Sequence, residues 1–190
     1  YKRQTQTNNQ DSVIAFNCGV CADKIKKPAD ALKYFDIAVQ KKYNLANAYI
    51  GKAGALKDLK KNDEYVATLK EGLEAVPGNK TLTKLYATYY VNQGILAQRA
   101  KKNSAAEEAF KQAVSIQPDN VNALNSLGSL YYNQGATLLK TDADKAKEEF
   151  KQAKEYLDKL IPLLSADKPA QKKMKDNANT MLNFINSQLQ

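Results

Sequence analysis

The chain has 190 residues, of which 43% are hydrophobic and 26% are charged, and its formal net charge is +9 at pH 7. This composition is typical of one folded, soluble domain and excludes a disordered chain. No segment approaches the ~20 consecutive apolar residues of a membrane-spanning helix. Because the chain has no histidine, histidine-based catalytic triads and the common zinc sites are excluded. We therefore expect no enzyme activity, no cofactor and no metal.

The first predicted helix contains the two cysteines, Cys18 and Cys21. A thioredoxin-like C-x-x-C site needs its first cysteine at the start of a helix that follows a strand. Here the pair falls in the middle of a helix, and Cys18 directly precedes the small residue Gly19. We interpret the two cysteines as packed thiols.

A spacing of small and aromatic residues recurs along the chain. The segments Ala31-x-x-x-Phe35-x-x-Ala38 and Tyr65-x-x-x-Leu69-x-x-Gly72 lie 34 residues apart, and the same spacing returns in Ala106-x-x-x-Phe110-x-x-Ala113 and Ala146-x-x-x-Phe150-x-x-Ala153. Similarly, Tyr89-Tyr90-Val91-Asn92-Gln93-Gly94 matches Tyr131-Tyr132-Asn133-Gln134-Gly135. Such periods indicate a repeat architecture. No strand is predicted, because β-branched residues nowhere alternate with polar ones.

The unit that begins with Tyr49-x-x-Lys52-Ala53-x-x-Leu56 and ends at Pro77 resembles the tetratricopeptide repeat, a pair of helices of about 34 residues. In that family the small residue, here Ala53, lies where the two helices cross. The resemblance implies an all-α fold, a helix-turn-helix solenoid with a right-handed superhelical path. It also implies a single domain over residues 1–190, with repeats at about 12–45, 46–79, 80–120 and 121–161.

The last two repeats are longer than those of the family. Pro77 and Pro118 lie 41 residues apart, and Phe110 and Phe150 lie 40 apart. The extra residues make about two helical turns, and no cluster of glycine, proline or serine is present to hold them in a loop. We therefore predict longer first helices in repeats three and four. A role for this added length and lengthening without a role both stay open.

Helix boundaries are marked by prolines and by one capping motif. Pro28 and Pro169 suit first helical turns, whereas Pro77 and Pro118 follow helix ends. The segment Ser104-Ala105-Ala106-Glu107 fits a capping box, in which the serine accepts a free amide and the glutamate reaches back.

A last helix is predicted at 169–188, after Pro162, which marks the end or a kink of the helix before it. Its apolar residues form one stripe: Ala170, Met174, Ala178, Met181, Leu182, Ile185 and Leu189. A stack of repeats leaves an apolar face bare at its end, so we interpret this helix as a cap that buries Met181 and Ile185. The alternative is an amphipathic helix that binds a partner or a membrane surface, although its polar face has few basic residues beyond the first turns.

The positive charge is carried almost entirely by lysine, because arginine occurs only at Arg3 and Arg99. Phosphate and base recognition relies on the planar fork of arginine. The lysines are scattered and commonly lie near predicted helix C-termini, where they complement the helix dipole. We interpret them as a solvated surface. The alternative is a basic helical array that binds nucleic acid or another acidic partner, which a continuous lysine stripe would favour.

The family resemblance also implies a binding surface, since the first helix of each repeat faces a concave groove. The matching non-core positions are Asn47 and Ile50 in repeat two, Lys84, Thr88 and Asn92 in repeat three, and Asn122, Asn125, Ser129 and Tyr132 in repeat four. Amide and hydroxyl groups suit an extended peptide, each net hydrogen bond adding about 1 kcal/mol. We therefore predict a protein-interaction scaffold or adaptor that binds a peptide or helix of another protein. That these are simply exposed helix residues is the alternative.

Localisation is weakly indicated. The chain begins with Tyr1 and not with methionine, so a removed signal or lipid-anchor segment stays open. The composition, rich in lysine, asparagine and tyrosine, looks bacterial, and a clipped N-terminus then slightly favours a periplasmic or otherwise exported protein over a cytoplasmic one. Nothing in the sequence indicates the oligomeric state.

Overall fold

The structure is a computed structural model that describes the backbone of residues 2–190 and the side chains of residues 10–190. Over this range there is no strand, and the regular elements are nine α-helices and one short 3₁₀ helix at Ile161–Leu163. The helices are α1 (Lys2–Lys24), α2 (Pro28–Gln40), α3 (Leu45–Asp58), α4 (Asn62–Ala75), α5 (Lys80–Arg99), α6 (Asn103–Ile116), α7 (Val121–Leu138), α8 (Ala143–Leu160) and α9 (Pro169–Leu189). The prediction of an all-α fold is confirmed. None of the helices in the described part of the chain is long and apolar enough to cross a membrane.

The chain divides into two compact units, Tyr1–Tyr86 and Ala87–Gln190, with the boundary inside α5. In the first unit, α1 packs on α2 and α3, and α3 packs on α2 and α4. In the second unit, α7 packs on α6 and α8, and α9 packs on α7 and α8. Consecutive helices therefore pack on one another within each unit. The single domain over 1–190 and the repeat boundaries remain predictions.

Helix lengths differ along the chain. The first helices of predicted repeats three and four, α5 and α7, have 20 and 18 residues, compared with 14 in α3. The second helices α4 and α6 both have 14 residues. The residues that separate Pro77 from Pro118 beyond a 34-residue period therefore extend a helix and not a loop.

Prolines mark helix boundaries as predicted. The helices α2 and α9 begin at Pro28 and Pro169, and Pro77 and Pro118 come shortly after the ends of α4 and α6. Pro162 lies in the 3₁₀ helix that follows α8. Each position avoids the helix interior, where proline would remove a backbone hydrogen bond and clash with the preceding turn.

The predicted capping box at Ser104 is wrong. The helix α6 begins before Ser104, and its N-cap residue, Lys102, makes no side-chain capping bond. Glu107 instead accepts hydrogen bonds from Lys111 and Tyr131. In a capping box, the Glu107 carboxylate would accept from a backbone amide at the start of the helix. Here it accepts from the Lys111 ammonium of the same helix and from the Tyr131 hydroxyl of α7.

Four helices end in turns whose left-handed residue is a lysine. Lys26, Lys42, Lys60 and Lys101 have φ angles of 57°, 53°, 60° and 57°. In each turn the next amide donates to the carbonyl five positions earlier, as when the amide of Lys61 bonds to Leu56 at 3.0 Å. This is the Schellman arrangement, in which glycine usually holds the left-handed position. Part of the positive charge therefore belongs to helix-ending turns.

The core of the first unit surrounds Phe35 of α2. The ring is 3% exposed and packs with three alanines, Ala22, Ala31 and Ala55. It also lies against Gly51 of α3, where a Cβ atom would be only 2.4 Å from the ring. Ala53, the predicted crossing residue, is fully buried two positions further along α3.

The two cysteines of α1 differ in exposure. Cys18 is half-buried and Cys21 is exposed, and both are free thiols. The buried stripe of α1 runs through Ala15, Gly19 and Ala22, so each cysteine lies one residue off it. The prediction of two packed thiols is therefore wrong for Cys21.

In the second unit, buried phenylalanines lie against glycines of the preceding helix. A Cβ atom on Gly94 of α5 would lie 2.4 Å from the ring of Phe110, and one on Gly135 of α7 would lie 2.7 Å from Phe150. Both rings are fully buried. The repeated Asn-Gln-Gly motif of α5 and α7 therefore ends in a glycine because the ring of the next helix approaches that backbone closely.

The helix α9 buries one side against α7 and α8. Ile185 is fully buried, and Phe184 packs edge-on against Tyr132 and Phe150, with ring centroids 5.7 and 5.8 Å apart. Met181, which we predicted to be buried, is only half-buried, because it lies at the rim of this contact. That α9 acts as a cap remains a prediction.

Candidate partner-binding clefts

A first cleft, of about 310 Å³, lies between α5 and α7 in the second unit. Its lining residues are Thr88, Val91, Asn92, Ile95, Asn120, Asn122, Asn125 and Ser126. Four of the predicted groove residues therefore meet here, two from each helix. Thr88, Asn92 and Asn122 are exposed, whereas Asn125 is half-buried.

A second cleft, of about 360 Å³, lies between α7 and α9. Its lining residues are Asn125, Ser129, Tyr132, Asn133, Asn177, Thr180 and Met181. Three predicted groove residues contribute to it, and one of them, Asn125, lines both clefts. The polar side of α7 is therefore shared between two adjoining cavities.

Tyr132 is held in place by other aromatic rings. Its ring packs edge-on against Phe184 at a centroid distance of 5.7 Å and lies at a tilt to Phe150 at 6.1 Å. The side chain is half-buried. One part of the ring thus belongs to the core that α9 closes, and the remainder forms a fixed wall of the second cleft.

The other three predicted groove residues, Asn47, Ile50 and Lys84, belong to the first unit. Asn47 is exposed, and its amide donates to the side-chain oxygen of Asn44 at 3.0 Å. Ile50 is half-buried on α3, and Lys84 is exposed on α5. The two clefts of the second unit are formed without them.

Sequence reasoning missed the contribution of α9. The predicted groove residues were all taken from the first helices of the repeats, and α9 follows the last repeat and belongs to none of these helix pairs. Asn177 and Thr180 nevertheless precede the stripe residues Ala178 and Met181 by one position each. Their place at the edge of the apolar stripe was the available signal for the second cleft.

The two clefts carry no charge. None of their described lining residues is acidic or basic, although 26% of the chain is charged. The lining consists of amides, hydroxyl groups and a few apolar side chains. Such a surface offers both donors and acceptors of hydrogen bonds but no long-range attraction for a charged ligand.

A third cleft, of about 490 Å³, follows along α7 and was not predicted. Its lining residues are Gln98, Asn103, Leu130, Asn133, Gln134, Thr137, Leu138 and Glu149. It shares Asn133 with the second cleft, and Glu149 is the only charged residue among its described lining residues. Gln134 Oε1 and Glu149 Oε2 are both buried without a hydrogen-bond partner.

Comparison with known proteins agrees with this architecture. The sequence profile described as "TPR repeat" matches residues 100–135. A crystal structure of a TPR repeats protein from Bacteroides fragilis NCTC 9343 is 47% identical in sequence, covers 93% of this chain and 86% of that chain, and has a TM-score of 0.73. The chain belongs to the tetratricopeptide repeat family. The predicted tetratricopeptide fold is thereby confirmed.

Other solved structures are more distant. MamA from Desulfovibrio magneticus RS-1 is 15% identical, covers 94% of each chain and has a TM-score of 0.44. YrrB, described as a TPR protein with an unusual peptide-binding site, is 17% identical, covers 98% of this chain and 91% of its own, and has a TM-score of 0.43. The family assignment rests on the Bacteroides protein and not on these two. A comparison with curated proteins finds no match.

Tetratricopeptide repeat proteins generally serve as non-enzymatic scaffolds for interactions between proteins. In this tetratricopeptide protein, the clefts lie along α5 and α7, the first helices of two predicted repeats. Over the side chains that the structure describes, no group of three or more acidic or cysteine residues is placed to hold a metal ion.

A charged network joins α6 to α7 in this tetratricopeptide protein. The Lys111 ammonium and the Tyr131 hydroxyl both donate to Glu107 Oε1, each at 2.7 Å. Burial raises the pKa of Glu107, but the two hydrogen bonds outweigh it and leave that pKa below its ordinary value of 4.5. Burial, and then the bond to Glu107, raises the pKa of Tyr131 to about 12. The Tyr131 ring also stacks on Tyr156 at 5.8 Å.

We expect Glu107→Gln to lower the free energy of unfolding by about 1 kcal/mol at neutral pH, a value discounted for solvent screening. Because the folded-state pKa of Glu107 is depressed, its stabilisation is present above about pH 4.5 and is lost as the pH falls through that lower pKa. Denaturant unfolding at several pH values should show the difference from wild type shrinking in acid. Glu108→Gln removes the same charge from an exposed neighbour and serves as the control. A difference that is independent of pH would show that the ionised carboxylate is not responsible.

Proposed function

We propose that this tetratricopeptide repeat protein is a scaffold that binds an uncharged, extended segment of a partner protein along α7, across the first and second clefts. The observation that carries the proposal is the shared lining of the two clefts, which is polar, uncharged and continuous through Asn125. The site residues of the proposal are the six predicted ones in the second unit: Thr88, Asn92, Asn122, Asn125, Ser129 and Tyr132.

The chemistry of the first cleft suits a peptide backbone. An asparagine side chain both donates and accepts hydrogen bonds, as does each peptide group of an extended chain. Asn92 and Asn122 offer such groups from α5 and α7, and α5 adds apolar surface through the buried Val91 and the half-buried Ile95. A few polar groups beside apolar surface are typical of binding sites that fix the orientation of a ligand.

The second cleft adds an aromatic wall. Tyr132 is held by Phe184 and Phe150, so little conformational entropy is lost when a ligand packs against its ring. Asn177 and Thr180 of α9 line the same cleft. The partner segment would therefore contact both α7 and α9, and the last helix would belong to the binding surface.

The alternative partner is nucleic acid or another acidic molecule, which the net charge of +9 suggests. Against it, the lining of the first two clefts carries no lysine. Four lysines also occupy left-handed turn positions at helix ends, where they have a local role. An uncharged lining suits a neutral segment better than phosphates.

The test begins with a ligand selected from a display library of short linear peptides. Titration of that peptide should show about fivefold weaker binding to Asn125→Ala, equivalent to about 1 kcal/mol for one net hydrogen bond. Asn186→Ala removes an exposed asparagine from α9 outside the clefts and should bind like wild type.

Salt dependence separates the two functions. Binding of a neutral segment should change little between low and physiological salt, whereas phosphate-driven binding would fall by about 10³–10⁵-fold. Equal affinity of Asn125→Ala and wild type would contradict the proposed site. Tight, strongly salt-dependent binding of RNA or DNA, with no peptide selected, would favour the alternative function.

A further inference from the structure

The third cleft is lined by a carboxyl group with one unpaired oxygen. Glu149 on α8 is half-buried, and its Oε2 atom is shielded from water without a hydrogen-bond donor. Gln134 of α7 lines the same cleft, and its Oε1 atom is also buried without a hydrogen-bond donor. Buried acceptors of this kind are rare in native proteins, because leaving them unpaired costs free energy.

The residues around Glu149 do not neutralise it. Burial, and then the neighbouring Glu107, raises the pKa of its carboxyl group. Lys111 acts in the opposite direction, but its ammonium already donates to Glu107 at 2.7 Å. The cation that acts on this carboxyl group is therefore committed to another acid.

The corresponding helix of repeat three shows that the fold does not require an acid at the position of Glu149. The segments 106–113 and 146–153 have the same spacing, and Glu149 corresponds to Ala109. Ala109 is 9% exposed and part of the buried side of α6. An alanine thus satisfies this position in one repeat, whereas the other repeat places an unpaired carboxylate there.

We propose that this cleft binds a guanidinium group, with Glu149 and Gln134 accepting its N–H donors. A guanidinium offers five donors in a planar fork, which suits two acceptors on separate side chains. Its faces are weakly hydrated and pack on apolar surface, which Leu130 and Leu138 supply in this cleft. The volume of about 490 Å³ lies within the usual range of small-ligand sites.

This site is separate from the proposed peptide-binding clefts, although Asn133 lines both the second and third clefts. The guanidinium can come from an arginine side chain of a protein or from a free guanidino compound. Both carry the same chemistry, and small probes test it without a peptide backbone.

The probe is methylguanidinium, titrated into ¹⁵N-labelled protein and followed by NMR. Saturable shifts are expected at the backbone amides of Gln134 and Glu149, with at least tenfold weaker binding in Glu149→Gln. Glu148→Gln removes the adjacent charge, which is exposed and already paired with Lys151, and should bind like wild type. Asn125→Ala should also bind like wild type, so failure here is distinct from failure of the peptide site.

Two further arms complete the test. Glu149→Gln should melt at a higher temperature than wild type at neutral pH, because the raised pKa means that the ionised carboxylate destabilises the fold. A higher melting temperature would show that this variant is folded, so that its weaker binding cannot be attributed to unfolding. Tighter binding of acetyl-arginine methylamide than of methylguanidinium identifies a protein side chain as the source, and the reverse identifies a free compound. Equal binding of methylammonium, or no saturable shift at Gln134 and Glu149, overturns the proposal.

Discussion

Replacing Ile185 with alanine should lower the free energy of unfolding by about 2–5 kcal/mol. Ile185 is fully buried and belongs to the same apolar cluster as Phe150, Leu157 and Leu182. The shorter side chain loses burial and leaves a cavity that the surrounding rings of α8 and α9 can fill only in part. Denaturant unfolding measures the effect directly.

A matched isoleucine is available as the control. Ile14 of α1 is 58% exposed, so Ile14→Ala should change the free energy of unfolding by no more than about 0.5 kcal/mol. If the two variants were equally stable, α9 would not be packed on α7 and α8 in solution, and its role as a cap would be wrong. The wall that Asn177 and Thr180 give to the second cleft would then be lost as well.

The second large effect is expected at Gly94, where alanine should destabilise the chain by about 1–3 kcal/mol. The new methyl group would lie 2.4 Å from the buried ring of Phe110, so the ring or the helix must move. Alanine favours a helix over glycine by about 1 kcal/mol, and the clash has to exceed this gain. Thermal or denaturant unfolding gives the net value.

Gly54 supplies the control with the opposite sign. It lies in the helix α3, is exposed, and has open space where a Cβ atom would be placed. Gly54→Ala should therefore stabilise the chain by up to about 1 kcal/mol. Stabilisation by both substitutions would mean that Phe110 does not press on α5 as the structure describes.

The parts of the fold that repeat could be predicted from the sequence. Phe35, Phe110 and Phe150 each lie four residues after one alanine and three before another, which is a helical spacing, so the helices and their inner faces were accessible from the pattern. The family resemblance named Asn92 of α5 and Asn125 of α7 as groove residues, and both line the first cleft. Both kinds of prediction rest on residue spacing within one helix and on the sequence distance between corresponding helices of successive repeats.

Features that depend on contacts between distant segments could not be predicted. Ser104 and Glu107 have the spacing of a capping box, but Tyr131, 24 residues along the chain from Glu107, takes up that carboxylate. The exposure of Met181 depends on where α9 meets α7. The third cleft needs residues from α5, α6, α7 and α8 at once, and no local pattern indicates where four helices meet.

The lysines at the left-handed turn positions suggest where the chain could be redesigned. Lys26, Lys42, Lys60 and Lys101 hold a backbone conformation that glycine adopts without strain. Glycine at all four would relieve that strain and remove four charges from the net +9, leaving the clefts unaltered because none of the four lines them. A chain redesigned in this way would be less basic and would fold with less backbone strain, so its electrostatics could be tuned separately from its recognition surface.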